Sequence, residues 1–137
     1  MSRFLIAYAA ALVPFCALDF IWLSLMGPRL YKPALADMVA AVPRLGPAAA
    51  FYLVYIAGIV FFAVRPALAA GSWRTALVNG AALGLVAYAT YDLTNQATLR
   101  IWSIRVTILD LAWGAFATAL AATVSFSVTA WSNRAVG

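Results

Sequence analysis

Three of the four acidic residues in this sequence stand alone inside long apolar stretches. They are Asp19, Asp92 and Asp110, and a charge at such a position costs at least about 2.5–3.5 kcal/mol on membrane-insertion scales. Desolvation and mutual repulsion favour the protonated form of at least one of them. Such a carboxyl group can exchange its proton for a cationic ligand, so these aspartates are the first candidates for a functional site. The alternative is a structural network in which they bond to tyrosine, tryptophan, Asn95 or an arginine.

The residue types that are missing exclude several classes of site. The 137 residues contain no histidine, which excludes histidine-ligated metals, haem and histidine-based triads. The single cysteine, Cys16, excludes an internal disulfide and a thiolate metal cluster. The aspartates lie on separate segments without the spacing of a known metal motif. We therefore predict neither a metal nor a cofactor.

Composition identifies the chain as an integral membrane protein. Hydrophobic residues make up 66% of it and charged residues 9%, against about 45–50% and about 25% in ordinary globular proteins. Mean hydropathy is +0.97. The net charge of +5 comes from nine basic residues. In so apolar a chain, we expect them to mark membrane interfaces and predict no nucleic-acid partner.

Basic residues divide the sequence into four apolar windows of at least 20 residues each. A hydrocarbon core of about 30 Å needs roughly 20 helical residues, and at this length only helices satisfy their backbone internally. The sequence therefore predicts an all-α membrane protein, one integral membrane domain over 1–137 with four transmembrane helices in an up-down bundle. Their expected bounds are 4–26, 47–64, 74–94 and 105–128. Residues 33–42 predict a short interfacial helix between the first two.

Alternating helix directions bring the three aspartates to one side of the membrane. Asp19 and Asp92 lie near the ends of the first and third predicted helices, and Asp110 lies near the start of the fourth. All three therefore occupy the same leaflet, and the second helix brings Tyr52 and Tyr55 to that level. The alternative for these tyrosines is an interfacial aromatic belt.

Helical spacing adds neighbours to each carboxyl group. The pattern Asp-x-x-Trp occurs twice, at 19–22 and 110–113, which places each tryptophan on the helix face of its aspartate. On the third helix, six residues at i+4 spacing share one face: Ala76, Gly80, Gly84, Tyr88, Asp92 and Gln96. The small residues of this i+4 line favour close packing, and the same face directs a tyrosine and an aspartate to the interior. The predicted ligand-binding or proton-exchange set is Asp19, Asp92, Asp110, Tyr52, Tyr55, Tyr88, Trp22, Trp113 and Asn95. Basic residues at the same end are predicted to contact lipid headgroups: Arg29, Lys32, Arg44, Arg100 and Arg105.

Several segments closely resemble a known family. They are 17–23 (ALDFIWL), 51–58 (FYLVYIAG), 61–68 (FFAVRPAL), 88–95 (YATYDLTN) and 110–114 (DLAWG). The chain resembles, over nearly its whole length, the small bacterial inner-membrane proteins known as domain of unknown function 2177. The resemblance implies a four-helix, multi-pass protein of the bacterial inner membrane and brings no established activity. The genes of its relatives often lie beside lipid-modifying genes, so the resemblance also points to a role in fatty-acid chemistry.

Three functions from different classes fit these features. We favour binding or translocation of a small amphiphilic or cationic molecule through a polar cavity on one side of the membrane. The second is a membrane component or enzyme of lipid or fatty-acid modification, with basic residues holding a headgroup and aspartates acting as acid or base.

The lack of a histidine, an activated cysteine and a serine triad argues against catalysis.

The third function is an accessory subunit of a larger membrane complex. We expect membrane lipids as partners, together with self-association or association with another membrane protein. Five basic residues are predicted on the side of the membrane that holds the aspartates and four on the other side. This small difference leaves the membrane orientation open.

Overall fold

The computed structural model describes residues 3–135, which form helices and turns without a strand. Four long helices account for most of them: α1 (Arg3–Met26), α2 (Leu45–Ala70), α3 (Trp73–Thr98) and α4 (Ile104–Ala135). The predicted all-α class is confirmed. The last three helices begin within two residues of their expected starts and continue past their expected ends, because hydropathy locates the apolar part of a helix and not its polar extension.

Among the described residues, three helical segments are long and apolar enough to cross a membrane: Arg3–Met38, Leu45–Ala70 and Ile104–Ala135. α3 has the necessary length, with 26 residues. Polar residues such as Asn79 and Asp92 lower its hydropathy and keep it out of this group. The chain is therefore a membrane protein with three supported spans, and the predicted fourth span is not confirmed.

The first helical segment does not end at Gly27-Pro28, where the sequence predicts a break. A π-helical turn, Gly27–Tyr31, continues α1 into Lys32–Leu35 and a 3-10 turn, Ala36–Met38. Proline and π turns are places at which helices bend, and this turn buries Leu30. Residues 39–44 are not helical, so the predicted separate interfacial helix over 33–42 is not confirmed.

A second π-helical turn, Val60–Val64, lies within α2 shortly before Pro66. Proline has no backbone N–H, so the carbonyl of Phe62, four residues earlier, loses its usual helical partner. The side-chain amide of Asn79 on α3 donates to that carbonyl at 3.3 Å. α2 ends at Ala70; the next residue, Gly71, has a left-handed φ of 61°, and the chain turns directly into α3.

α3 and α4 pack with their backbones in contact. A Cβ added to Gly84 would lie 2.0 Å from the carbonyl oxygen of Gly114, and one added to Gly80 would lie 2.9 Å from the Cα of Ala119. A Cβ added to Gly114 would lie 2.3 Å from the ring of Tyr88. The i+4 line of small residues thus lies at this interface.

α1 and α2 complete the bundle against α4. Phe15 of α1 and Ile56 and Ile59 of α2 have no exposed surface. The Ser125 hydroxyl of α4 donates to the carbonyl oxygen of Ala7 on α1 at 2.7 Å. These contacts hold α1 and α2 against α4 in the middle of the bundle and join the start of α1 to the last turns of α4.

Candidate functional site

A cavity of about 420 Å³ lies where α1 ends, α2 and α4 begin, and α3 approaches its end. Asp19 of α1, Asp92 of α3 and Asp110 of α4 all line it. The other lining residues are mostly aromatic: Trp22, Leu23, Tyr31, Phe51, Tyr55, Ala87, Tyr88, Tyr91 and Trp113. Carboxyl groups from three separate helices therefore share one cavity with apolar walls.

Asp19 is held in place by α2. Only 7% of its surface is exposed, and the Tyr52 hydroxyl donates a hydrogen bond to its Oδ2 atom. Tyr52 also packs edge-on against Phe15, with 6.3 Å between the ring centroids. Because Phe15 lies one turn before Asp19 on the same helix face, these contacts orient the carboxyl group together.

Asp110 is held by the continuation of α1. The Tyr31 hydroxyl donates to Oδ1 of Asp110, and it accepts a hydrogen bond from Nε1 of Trp22 at 2.8 Å. This series of hydrogen bonds joins the end of α1 to the start of α4. The Tyr31 hydroxyl thus accepts from the indole N–H and donates its single proton to Oδ1 of Asp110.

Asp92 is the most deeply buried of the three aspartates. It has no exposed surface, and no N–H or hydroxyl group among the described residues donates to its oxygen atoms. Its carboxyl group lies within hydrogen-bonding reach of the Asp110 carboxyl group. Two carboxyl groups hydrogen-bond to each other only when one of them carries a proton, so this geometry suits a shared proton.

Two tryptophans form one wall of the cavity. Trp22 and Trp113 stack with 4.4 Å between ring centroids and 10° between ring planes. They come from the two Asp-x-x-Trp patterns, which α1 and α4 bring face to face. Tyr55 meets the Tyr88 ring edge-on at 6.4 Å, and its hydroxyl lies 2.8 Å from Oγ1 of Thr118. Aromatic faces beside carboxyl groups are suited to organic cations.

Seven of the nine residues in the predicted ligand-binding set line this cavity. Tyr52 contacts Asp19 without being part of the lining, and Asn95 is also outside it. The five predicted headgroup residues are all exposed and, among the described residues, contribute nothing to the cavity wall. They are Arg29, Lys32, Arg44, Arg100 and Arg105.

Tyr31, Phe51 and Tyr91 line the cavity although the sequence does not single them out. Sequence reasoning misses Tyr31 because 27–28 predicts the end of a helix, whereas the π turn carries the tyrosine back to the bundle. The available signal is the adjacent apolar residue, Leu30, inside a basic segment. A buried leucine beside a tyrosine indicates that this part of the connection packs against the helices.

Within residues 3–135, no group of three or more acidic or cysteine side chains comes close enough together to hold a metal ion. The carboxyl groups can instead hold an organic positive charge against the aromatic walls. The Asp92 and Asp110 pair can also take up or release a proton.

No curated protein and no solved structure matches this chain. A family model described as "Predicted membrane protein (DUF2177)" matches residues 4–127. This range covers the five segments that carry the family resemblance and the whole of the cavity lining. The chain belongs to this family of membrane proteins of unknown function.

Proposed function

We propose that this protein binds a small organic cation with an apolar portion in the cavity of Asp19, Asp92 and Asp110, in exchange for a proton. Binding would be the first step of its translocation. The observation that carries the proposal is that three carboxyl groups from three helices share one aromatic-walled cavity. Small-molecule pockets span about 300–1,000 Å³, and the volume of about 420 Å³ lies within that range.

The charges in the cavity support a cationic ligand. An ionised carboxylate removed from water costs several kcal/mol unless it is paired, hydrogen-bonded or neutralised by a proton. Asp19 and Asp110 have tyrosine donors, and Asp92 has the Asp110 carboxyl group. No lysine or arginine is among the described residues that line the cavity. A ligand cation or a proton therefore supplies the positive charge that the side chains do not.

The aromatic residues support a ligand with an apolar or quaternary part. A cation over a ring face is stabilised by about 0.5–2 kcal/mol, more when water is excluded. The stacked pair of Trp22 and Trp113 and the ring of Tyr88 border the same space as the carboxyl groups. A compact inorganic ion would be too small to contact these rings as well as the carboxyl groups, so the lining favours an organic ammonium or phosphonium compound.

We also propose that α3 crosses the bacterial inner membrane as a fourth span. Its 26 residues exceed the roughly 20 that a hydrocarbon core requires. Two of its polar side chains are directed inward, since Asp92 is fully buried and Asn79 donates to the carbonyl of Phe62. A helix whose polar groups face its neighbours can contact lipid with the remaining face.

Calorimetric titration of the detergent-purified protein with tetraphenylphosphonium tests the proposed binding. Asp110→Asn keeps the shape of the side chain and removes its charge, and we expect at least about tenfold weaker binding. Asp37→Asn is the matched control, because Asp37 is the exposed fourth aspartate and lies outside the cavity. Wild-type binding should strengthen as the pH rises, because the proton and the cation compete for the same carboxylates.

Equal binding by the Asp110→Asn and Asp37→Asn proteins would overturn the proposal, and so would binding that does not change with pH. Circular dichroism and elution volume establish that both variants are folded before the titrations are compared. Asp19→Asn serves as a second cavity variant. It removes a charge that α2 positions through Tyr52, independently of the Asp92 and Asp110 pair.

A further inference from the structure

A second hollow lies at the opposite end of the bundle from the carboxyl groups. It is a groove of about 820 Å³ between the start of α1 and the last turns of α2. Two arginines, Arg3 and Arg65, lie on its wall together with the rings of Phe4, Phe61 and Phe62. None of the site residues that the sequence predicts lines this groove.

The charge on this groove is entirely positive. No aspartate is among the described residues that line it, and three of the four aspartates line the cavity at the other end. Arg65 lies over the Phe61 ring, 4.9 Å from its centroid, which places the guanidinium group at the edge of the groove. Planar guanidinium groups bind phosphate oxygens through paired hydrogen bonds.

The rest of the groove is apolar and partly open. Phe4, Phe61 and Phe62 are 49%, 54% and 58% exposed, whereas Ala7 and Val60 form its buried floor. A phosphate ion by itself would leave this apolar surface uncovered. A ligand that fits both parts has a negatively charged phosphate joined to a hydrocarbon chain.

We propose that this groove binds an anionic phospholipid, with its phosphate on Arg3 and Arg65 and an acyl chain along the three phenylalanines. Basic pockets between membrane helices bind anionic headgroups in this way. A zwitterionic lipid brings an ammonium group that the two arginines repel, so the groove prefers a lipid with net negative charge. This site does not depend on the proposed function of the carboxyl cavity.

Native mass spectrometry of the full chain in mild detergent tests the site, with phosphatidylglycerol and phosphatidylcholine as probes. We expect the wild type to retain phosphatidylglycerol in preference to phosphatidylcholine. The double variant Arg3→Gln/Arg65→Gln should bind phosphatidylglycerol about tenfold more weakly or worse. The matched control is Arg74→Gln/Arg134→Gln, which removes two exposed arginines that lie outside both the groove and the predicted headgroup set and should bind like the wild type.

Equal retention of the two lipids by the wild type would overturn this site, as would equal losses in the two double variants. Displacement of phosphatidylglycerol by inorganic phosphate alone would also overturn it, because the acyl chain would then contribute nothing. If the double variant does not fold, Arg65→Gln alone decides the matter. We expect about threefold weaker binding in that variant, and wild-type affinity would refute the proposal.

Discussion

Replacing Gly84 by alanine tests the packing that positions two of the three cavity aspartates. A Cβ at this position would lie 2.0 Å from the carbonyl oxygen of Gly114 and 2.7 Å from Oγ1 of Thr118. Real Cβ contacts essentially never fall below 3.0 Å, so α3 and α4 would have to separate by about 1 Å here. The Gly114 carbonyl is backbone and cannot rotate away as a flexible side chain can.

Forced repacking of this kind typically costs about 1–3 kcal/mol. In a chain of this size, each kcal/mol lowers the midpoint of thermal unfolding by a few degrees, so we expect Gly84→Ala to lower it by about 3–10 °C. Asp92 lies on the same face of α3, about two turns beyond Gly84. The separation should therefore also weaken tetraphenylphosphonium binding, because it moves Asp92 away from Asp110.

Thermal unfolding followed by circular dichroism in one detergent measures this effect. Gly58→Ala is the control, because Gly58 is helical and a Cβ added to it meets nothing within 4 Å. Alanine favours a helix over glycine by up to about 1 kcal/mol, so this variant should unfold at or above the wild-type temperature. If Gly84→Ala unfolds at the same temperature as Gly58→Ala, α3 and α4 are not in backbone contact and the reasoning is wrong.

Two further predictions concern stability. Tyr31→Phe removes the hydroxyl that joins Trp22 to Asp110. The half-buried indole N–H then loses its acceptor and the buried Asp110 loses its tyrosine donor, which should destabilise the protein by about 1–3 kcal/mol; an unchanged unfolding temperature would contradict the hydrogen-bond series. Gly71→Ala places a side chain at a φ of 61° and should cost about 1–2 kcal/mol. Gly46→Ala, at a glycine without positive φ or close neighbours, should cost less, and equal unfolding temperatures for these two variants would refute the left-handed turn.

The sequence alone predicts an all-helical membrane protein and identifies the aspartates that lie at one end of the bundle. Both follow from local properties: apolar windows set helix positions, and alternating directions put Asp19, Asp92 and Asp110 at one end. The i+4 line through Gly84 follows in the same way from the helical period. Local reasoning fails at 27–28, because a glycine and a proline predict a helix end wherever they occur, whereas the hydrogen bond from Tyr31 to Asp110 of α4 joins this segment to the bundle.

Only the tertiary structure decided which way each helix faces. Rotation about a helix axis depends on contacts between residues far apart in the chain, such as Gly84 with Gly114 and Tyr31 with Asp110. These contacts determine that Asp92 meets Asp110, whereas the third carboxyl group accepts from a tyrosine of α2. Hydropathy carries no information about such partners, since an aspartate facing lipid and one facing a neighbour have the same sequence surroundings. The shared cavity is therefore a consequence of packing, and composition only makes it possible.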